Sequence, residues 1–128
     1  MRTAPLILAL LIAATPAAAQ ADIQTATKRA KSGQFDAQGA VRCAQEVGQD
    51  LGTCDASVAR ATGSAAVVVT FPNGFARTLT FSDGAFLRGN ATMSGVGTDT
   101  DWQLTNGTYH IRVDDQRFDI PETLVTAD

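Results

Sequence analysis

The 128-residue sequence is poor in the residues from which active sites and metal centres are usually built. It contains one histidine, two cysteines, one tryptophan and one tyrosine. Zinc sites need more Cys and His ligands than this, and no G-x-S-x-G nucleophile elbow is present. The 10 Lys and Arg residues form no basic stripe and are outnumbered by 13 Asp and Glu, which argues against nucleic acid as a partner. Composition therefore predicts no metal, no other cofactor and no catalytic constellation.

Long apolar runs are also absent, and the longest one is too short for the roughly 20 residues of a membrane-spanning helix. This run, residues 6–14, lies between an arginine and an Ala-Ala-Ala sequence, which is the arrangement of a secretory signal peptide. We expect residues 1–19 to be removed by cleavage before Gln20, or slightly later before Asp22. No cysteine lies at the cleavage region, so we expect no lipid anchor. The sequence predicts a periplasmic or extracellular protein without a membrane span.

Export would place both cysteines, Cys43 and Cys54, in an oxidising compartment. We therefore predict one disulfide. By its effect on loop-closure entropy, this bond would stabilise the folded state by about 3 kcal/mol. A redox-active or nucleophilic cysteine would call for a C-x-x-C spacing or a nearby base, and the sequence offers neither.

The mature chain is predicted to be one mainly β domain, a small antiparallel barrel or sandwich built of hairpins. Residues 20–40 are expected to form a short helix or a linker, with Asp22 as N-cap and Gly33 as the stop. The β domain spans residues 41–121, and residues 122–128 form a C-terminal tail.

The first clear hairpin turns at Pro-Asn-Gly, residues 72–74. A two-residue loop would place Val67 opposite Thr80, whereas a three-residue loop with glycine in the bulge position places Val67 opposite Leu79. We prefer the second register because it gathers apolar residues on one face: Val67, Val69, Phe71, Phe75, Leu79 and Phe81. Arg77 falls on the same face, where we expect it to snorkel to the sheet margin rather than to pair with a buried acid or a ligand anion.

Two further hairpins are predicted near the C-terminus. A type I′ turn at residues 106–107 places Trp102 opposite Ile111. A second tight turn at residues 115–116 places Ile111 opposite Ile120. The resulting core face comprises Trp102, Leu104, Tyr109, Ile111, Val113, Phe118 and Ile120.

The opposite face of these strands carries the most distinctive polar cluster of the sequence. The predicted registers put Arg112 between Asp101 and Asp119, and His110 alternates with apolar neighbours, so it should point outward on the same face. The structural interpretation is a solvated ladder of ion pairs that fixes the register. The functional one is a recognition patch of Asp101, His110, Arg112 and Asp119. The sequence favours the former.

Two segments resemble a group of small exported proteins of proteobacteria. These are the cysteine pair followed by Val-Ala-Arg at residues 58–60, and Ile-Arg-Val … Arg-Phe-Asp-Ile-Pro at residues 111–121. The resemblance covers residues 41–121. It implies a periplasmic or secreted protein, and because the group has no assigned activity it transfers no catalytic residue.

Export, small size and a single disulfide together predict a non-enzymatic binding or envelope-accessory domain whose partner is an unknown protein or envelope ligand. One alternative is an inhibitor of a hydrolase such as lysozyme or a protease, which would present the loop of residues 89–99. Another is a small hydrolase, and histidine catalysis in it would have to use His110.

Overall fold

The computed structural model describes residues 16–90 and 99–126, which form eight strands and two helices. The helices are α1 (Pro16–Lys31) and α2 (Glu122–Thr126). The strands are β1 (Ala37–Ala44), β2 (Gly52–Ala61), β3 (Ser64–Thr70), β4 (Ala76–Ser82), β5 (Ala85–Gly89), β6 (Thr100–Thr105), β7 (Thr108–Val113) and β8 (Gln116–Pro121).

All eight strands belong to one antiparallel sheet with the order β5-β4-β3-β2-β1-β8-β7-β6. Because β1 pairs with both β2 and β8, the sheet follows chain order around a nearly closed up-and-down barrel. The only neighbours in that circle that are not paired in the described sheet are β5 and β6, and we call the gap between them the seam. The predicted mainly β fold is confirmed, as a barrel.

The turn chemistry of two hairpins is as predicted. Val67 lies opposite Leu79, and Gly74 takes the left-handed conformation, with φ 92°, that a three-residue loop requires. Trp102 lies opposite Ile111 in the second hairpin. Both residues of its two-residue turn, Asn106 and Gly107, have positive φ, as a type I′ turn requires. Phe75 is a correction, since it is 38% exposed at the loop rather than buried.

The barrel interior is filled by side chains from all strands except β6. Its largest fully buried members are Tyr109, Phe81, Phe118, Leu79, Ile120, Val58, Val67, Val69 and Val113. Trp102 and Leu104 were expected in this core, but they are 38% and 39% exposed. The reason is topological: β6 borders the seam, so within the described sheet no paired strand flanks these side chains on the β5 side.

The last hairpin differs from the prediction by the position of its turn. The turn residues are Asp114 and Asp115 instead of residues 115–116, so Ile111 lies opposite Phe118. This displaces β8 by two residues along β7, which keeps each side chain on its predicted face and changes its partner. Asp114 adopts a φ of 53°, a left-handed conformation that aspartate tolerates.

Helix α1 begins at Pro16, so Asp22 lies inside it and is not its N-cap. It ends near the predicted stop, with Gly33 at φ 75°. Ala26 and Ala30 pack on small apolar side chains of the outer face of β2 and β3, which include Ala59 and Ala66. In the described part of the chain, neither helix combines the length and the apolar character needed to cross a membrane.

Other parts of the predicted N-terminal organisation are displaced or lie outside the structure. Strand β1 begins at Ala37, inside the segment expected to be helix or linker, and α2 occupies most of the expected tail. Of the expected signal peptide, residues 1–15 lie outside the described residues.

The predicted disulfide is present. Cys43 and Cys54 lie on the adjacent strands β1 and β2 with their Cα atoms 5.9 Å apart, and both side chains are buried. The bond therefore ties together the strands on either side of the β1–β2 loop.

Arg77 on β4 spans the seam at the end of the barrel where this loop lies. The expectation that it snorkels is wrong: its side chain is 2% exposed and its Nε donates to Oε1 of Gln116 at 2.9 Å. Its Nη1 donates to the Asn90 carbonyl at 2.5 Å, and Nη2 lies 3.5 Å from the Asp114 carboxylate. One buried guanidinium thus connects β4, the end of β5 and the β7–β8 turn.

Two further contacts draw the seam together. Gly89 on β5 packs so closely on Val113 of β7 that a Cβ atom would lie 3.0 Å from a Val113 methyl group. Near the other end, the Tyr109 hydroxyl donates to the Gly84 carbonyl at 2.6 Å. Burial, assisted by the negative charge of Glu122, raises the pKa of Tyr109, which keeps this donor protonated.

Replacing Arg77 by methionine should lower the free energy of unfolding by about 2 kcal/mol, because Gln116 and the Asn90 carbonyl lose their donor while partly or fully buried. Urea denaturation measures this change. Arg88→Met is the matched control, since Arg88 is exposed on β5, and its effect should stay within about 0.5 kcal/mol. Equal effects of the two substitutions would show that Arg77 does not hold the seam.

An ionic contact also fixes the segment between α1 and β1. Asp36 accepts from Arg29 at 2.7 Å and from the Arg60 backbone N–H at 2.7 Å. These bonds, the one from Arg29 first, lower the pKa of Asp36 to about 2. Arg60 in turn donates to the carbonyls of Leu124 and Val125, so the same cluster attaches α2.

The stabilisation by Asp36 should disappear in acid. Its folded-state pKa of about 2 lies below the unfolded value of about 3.9, so its contribution is complete above that unfolded value and is lost as the pH falls through 2. Asp36→Asn should therefore be less stable than the native chain at pH 6, and the difference should shrink toward pH 2. Thermal unfolding across this range measures it, with exposed Asp55→Asn as control. A difference that does not change with pH would contradict the assignment.

Candidate functional site

The outer face of β6, β7 and β8 carries an open groove of about 510 Å³. Leu51, which precedes β2, lies at its margin. Trp102 and Ile111 border the groove although their side chains belong to the inner face of the sheet, where the Trp102 ring lies 6.0 Å from that of buried Tyr109. The groove is lined by Leu51, Asp101, Trp102, Gln103, His110, Ile111, Arg112, Arg117 and Asp119. We call these nine residues the β6–β8 groove.

All four residues of the predicted patch line this groove. Asp101, His110, Arg112 and Asp119 come from three adjacent strands, and side chains at alternate positions share the outer face. The structure therefore brings together the polar cluster that the sequence singled out.

Their pairing differs from the prediction because of the shifted turn. Asp119 lies opposite His110 and not opposite Arg112. The two form an ion-pair geometry, with His110 Nδ1 2.9 Å from Asp119 Oδ1. On the other side of β8, Arg42 of β1 is opposite Asp119, so this carboxylate lies between two potentially cationic side chains.

Arg112 and Arg117 form the second cross-strand pair, and both are anchored away from each other. Arg112 lies between Asp101 on β6 and Arg117 on β8 in the register. Its Nη1 donates to the Asp114 carbonyl at 3.1 Å and to the Asp99 carboxylate at 3.3 Å. Arg117 Nη2 donates instead to the Gln49 carbonyl of the β1–β2 loop. The Arg112 guanidinium is therefore bonded at the entrance to β6, and the Arg117 guanidinium at the β1–β2 loop.

Five lining residues were not part of the predicted patch: Leu51, Trp102, Gln103, Ile111 and Arg117. Trp102 and Ile111 were assigned to the core face, and the register keeps them there. Arg117 and Gln103 were not singled out, and Leu51 comes from a loop. Arg117 and Gln103 had a usable sequence signal, since alternation places them on the same face as Asp119 and Asp101.

The chemistry available in the β6–β8 groove is recognition by charge and hydrogen bonds. The His110–Asp119 pair orients one imidazole, but the nine lining residues include no serine, threonine or cysteine. In residues 16–90 and 99–126, no three His, Cys, Asp or Glu side chains gather in a way that could hold a metal ion. Among these residues, His110 therefore has neither a candidate nucleophile nor a set of metal ligands beside it.

A smaller cavity of about 260 Å³ lies at the other end of the barrel, between the β2–β3 and β4–β5 turns. Ser64, Phe81 and Val125 are among its lining residues. The Ser64 hydroxyl is buried and has no hydrogen-bond partner in the described structure. Since that oxygen is sealed from solvent, the cavity offers an incoming molecule mainly apolar contacts and turn backbone.

The loop of residues 89–99, which an inhibitor would present, lies largely outside the described residues, because residues 91–98 are not among them. Its inhibitory role remains a prediction.

No family model, curated protein or solved structure matches this chain.

Proposed function

We propose that this protein is a non-enzymatic binding domain of an exported compartment and that the β6–β8 groove is its binding surface. The observation that carries the proposal is the convergence, in one open groove, of Arg117 and the four polar side chains that the sequence singled out. Arginine is among the side chains that most often anchor binding partners.

The groove is built on a rigid support, which favours binding. Strand β7, which carries His110 and Arg112, is paired along its length on both sides. The Asp119 carboxylate and the Asp99 carboxylate restrain these two side chains further. Side chains held in this way lose little conformational freedom when a ligand binds, so more of the contact energy contributes to affinity.

Export is supported by separate observations. The N-terminal sequence has the pattern of a signal peptide, and a disulfide between Cys43 and Cys54 suits an oxidising environment. The resemblance to small exported proteins of proteobacteria agrees with this location, and we propose membership of that group. The partner would then be a molecule of the periplasm, the envelope or the surroundings of the cell.

The single tryptophan of the chain makes the proposal directly testable. The processed, isotope-labelled protein is titrated with a panel of small acids, amines, sugars and peptides, while Trp102 fluorescence and backbone amide shifts are recorded. We expect at least one chemical class to bind with amide shifts centred on residues 101–103, 110–112 and 117–119.

A matched pair of variants assigns the site. Gln103 and Thr105 both point outward on β6, but only Gln103 lines the groove. Gln103→Tyr should obstruct the groove and weaken binding about tenfold, which corresponds to about 1.4 kcal/mol, whereas Thr105→Tyr should leave it unchanged. Binding that shifts other parts of the barrel, or that tolerates Gln103→Tyr, would refute the β6–β8 groove as the binding surface.

A further inference from the structure

The two arginines of the β6–β8 groove are in an unusual electrostatic position. Arg112 and Arg117 are directly opposite each other on neighbouring strands, where side chains of like charge destabilise a sheet. Each guanidinium has five N–H donors, and the bonds described above engage only one terminal nitrogen of each. Donors therefore remain for a group that lies between them.

No carboxylate of the groove lies between Arg112 and Arg117 in the strand register. Asp119 is bonded to His110, and Asp101 lies on the far side of Arg112 from Arg117. The carboxylate that does contact Arg112 belongs to Asp99, at the strand end, and is 82% exposed. The space between the two guanidinium groups is therefore the part of the groove best suited to a negative charge.

We propose that the β6–β8 groove binds a small organic acid, whose carboxylate or phosphate oxygens bridge Arg112 and Arg117. This rests on the proposed function and names its ligand class. The planar guanidinium fork matches both kinds of oxyanion and gives charge-assisted hydrogen bonds, which are stronger than neutral ones.

The walls of the groove specify the rest of the ligand. Leu51 at the groove margin is partly exposed, so a compact apolar body can pack on its side chain. Asp101 and Asp119 limit the negative charge that can be accommodated, because a second anionic group would meet one of them. The site thus fits one oxyanion on an apolar body and disfavours an extended polyanion.

The test uses four aromatic probes of similar size. Benzoate and phenyl phosphate carry the two oxyanions, whereas benzamide and phenol are neutral counterparts. We expect both anions to shift the backbone amides of residues 110–112 and 117–119 with saturation and to bind at least about tenfold more tightly than the neutral probes. If only phenyl phosphate binds in this way, the ligand is a phosphate; if only benzoate does, it is a carboxylate.

Charge variants locate the anion. Arg112→Gln and Arg117→Gln should each weaken anion binding about tenfold, while Arg88→Gln, on the exposed surface of β5, should not. Asp101→Asn should tighten it, by about threefold, because a repelling charge is removed. This gain cannot result from impaired folding.

The proposal is overturned if the neutral probes bind as tightly as the anions, if the two arginine variants bind like the native protein, or if none of the anions binds at millimolar concentration. These outcomes are distinct from failure of the proposed function. A neutral or cationic molecule that shifts the groove amides would retain the binding surface and exclude the organic acid.

Discussion

The contact between Arg77 and the Asp114 turn is the constraint on which the rest of the architecture depends. An eight-stranded meander leaves two edges, and here β5 and β6 are those edges. Because Arg77 donates to Gln116 and Asn90 and contacts Asp114, it holds elements from both sides of the gap. A buried guanidinium requires such partners. Side-chain contacts therefore connect the barrel where the described strands have no backbone pairing.

The same turn also builds the groove on the outer face. Asp114 exchanges two hydrogen bonds with Asp99, at the entrance to β6, and its carbonyl accepts from Arg112. By turning at Asp114 and Asp115 the chain places Arg117 opposite Arg112. Closure of the barrel and the charge pattern of the β6–β8 groove thus share one structural cause, which explains how a small domain can present a preformed polar surface.

Local sequence patterns predicted the hairpins of the barrel. The features that they did not predict depend on contacts between residues distant in sequence. The Pro-Asn-Gly and Asn-Gly turns specified their registers because glycine or asparagine must take positive φ there. The four patch residues were found for a similar reason, since strand alternation fixes the face of each side chain. The position of the last turn was not predictable in this way: Asp114-Asp115 competes with Asp115-Gln116, and contacts to Arg77 and Asp99 decide between them. The exposure of Trp102 likewise depends on which strand borders the seam.

The register of β7 and β8 is the most direct test of this account, because the seam contact and the groove both require it. In a hairpin closed by Asp114 and Asp115, the pairs Arg112–Arg117 and His110–Asp119 are not hydrogen-bonded to each other, and their Cα atoms approach to about 4.5 Å. Nuclear Overhauser spectroscopy of the folded protein should show strong contacts between the Hα protons of these two pairs. A strong Hα contact between Val113 and Phe118 instead would place the turn one residue later and contradict both the closure and the groove.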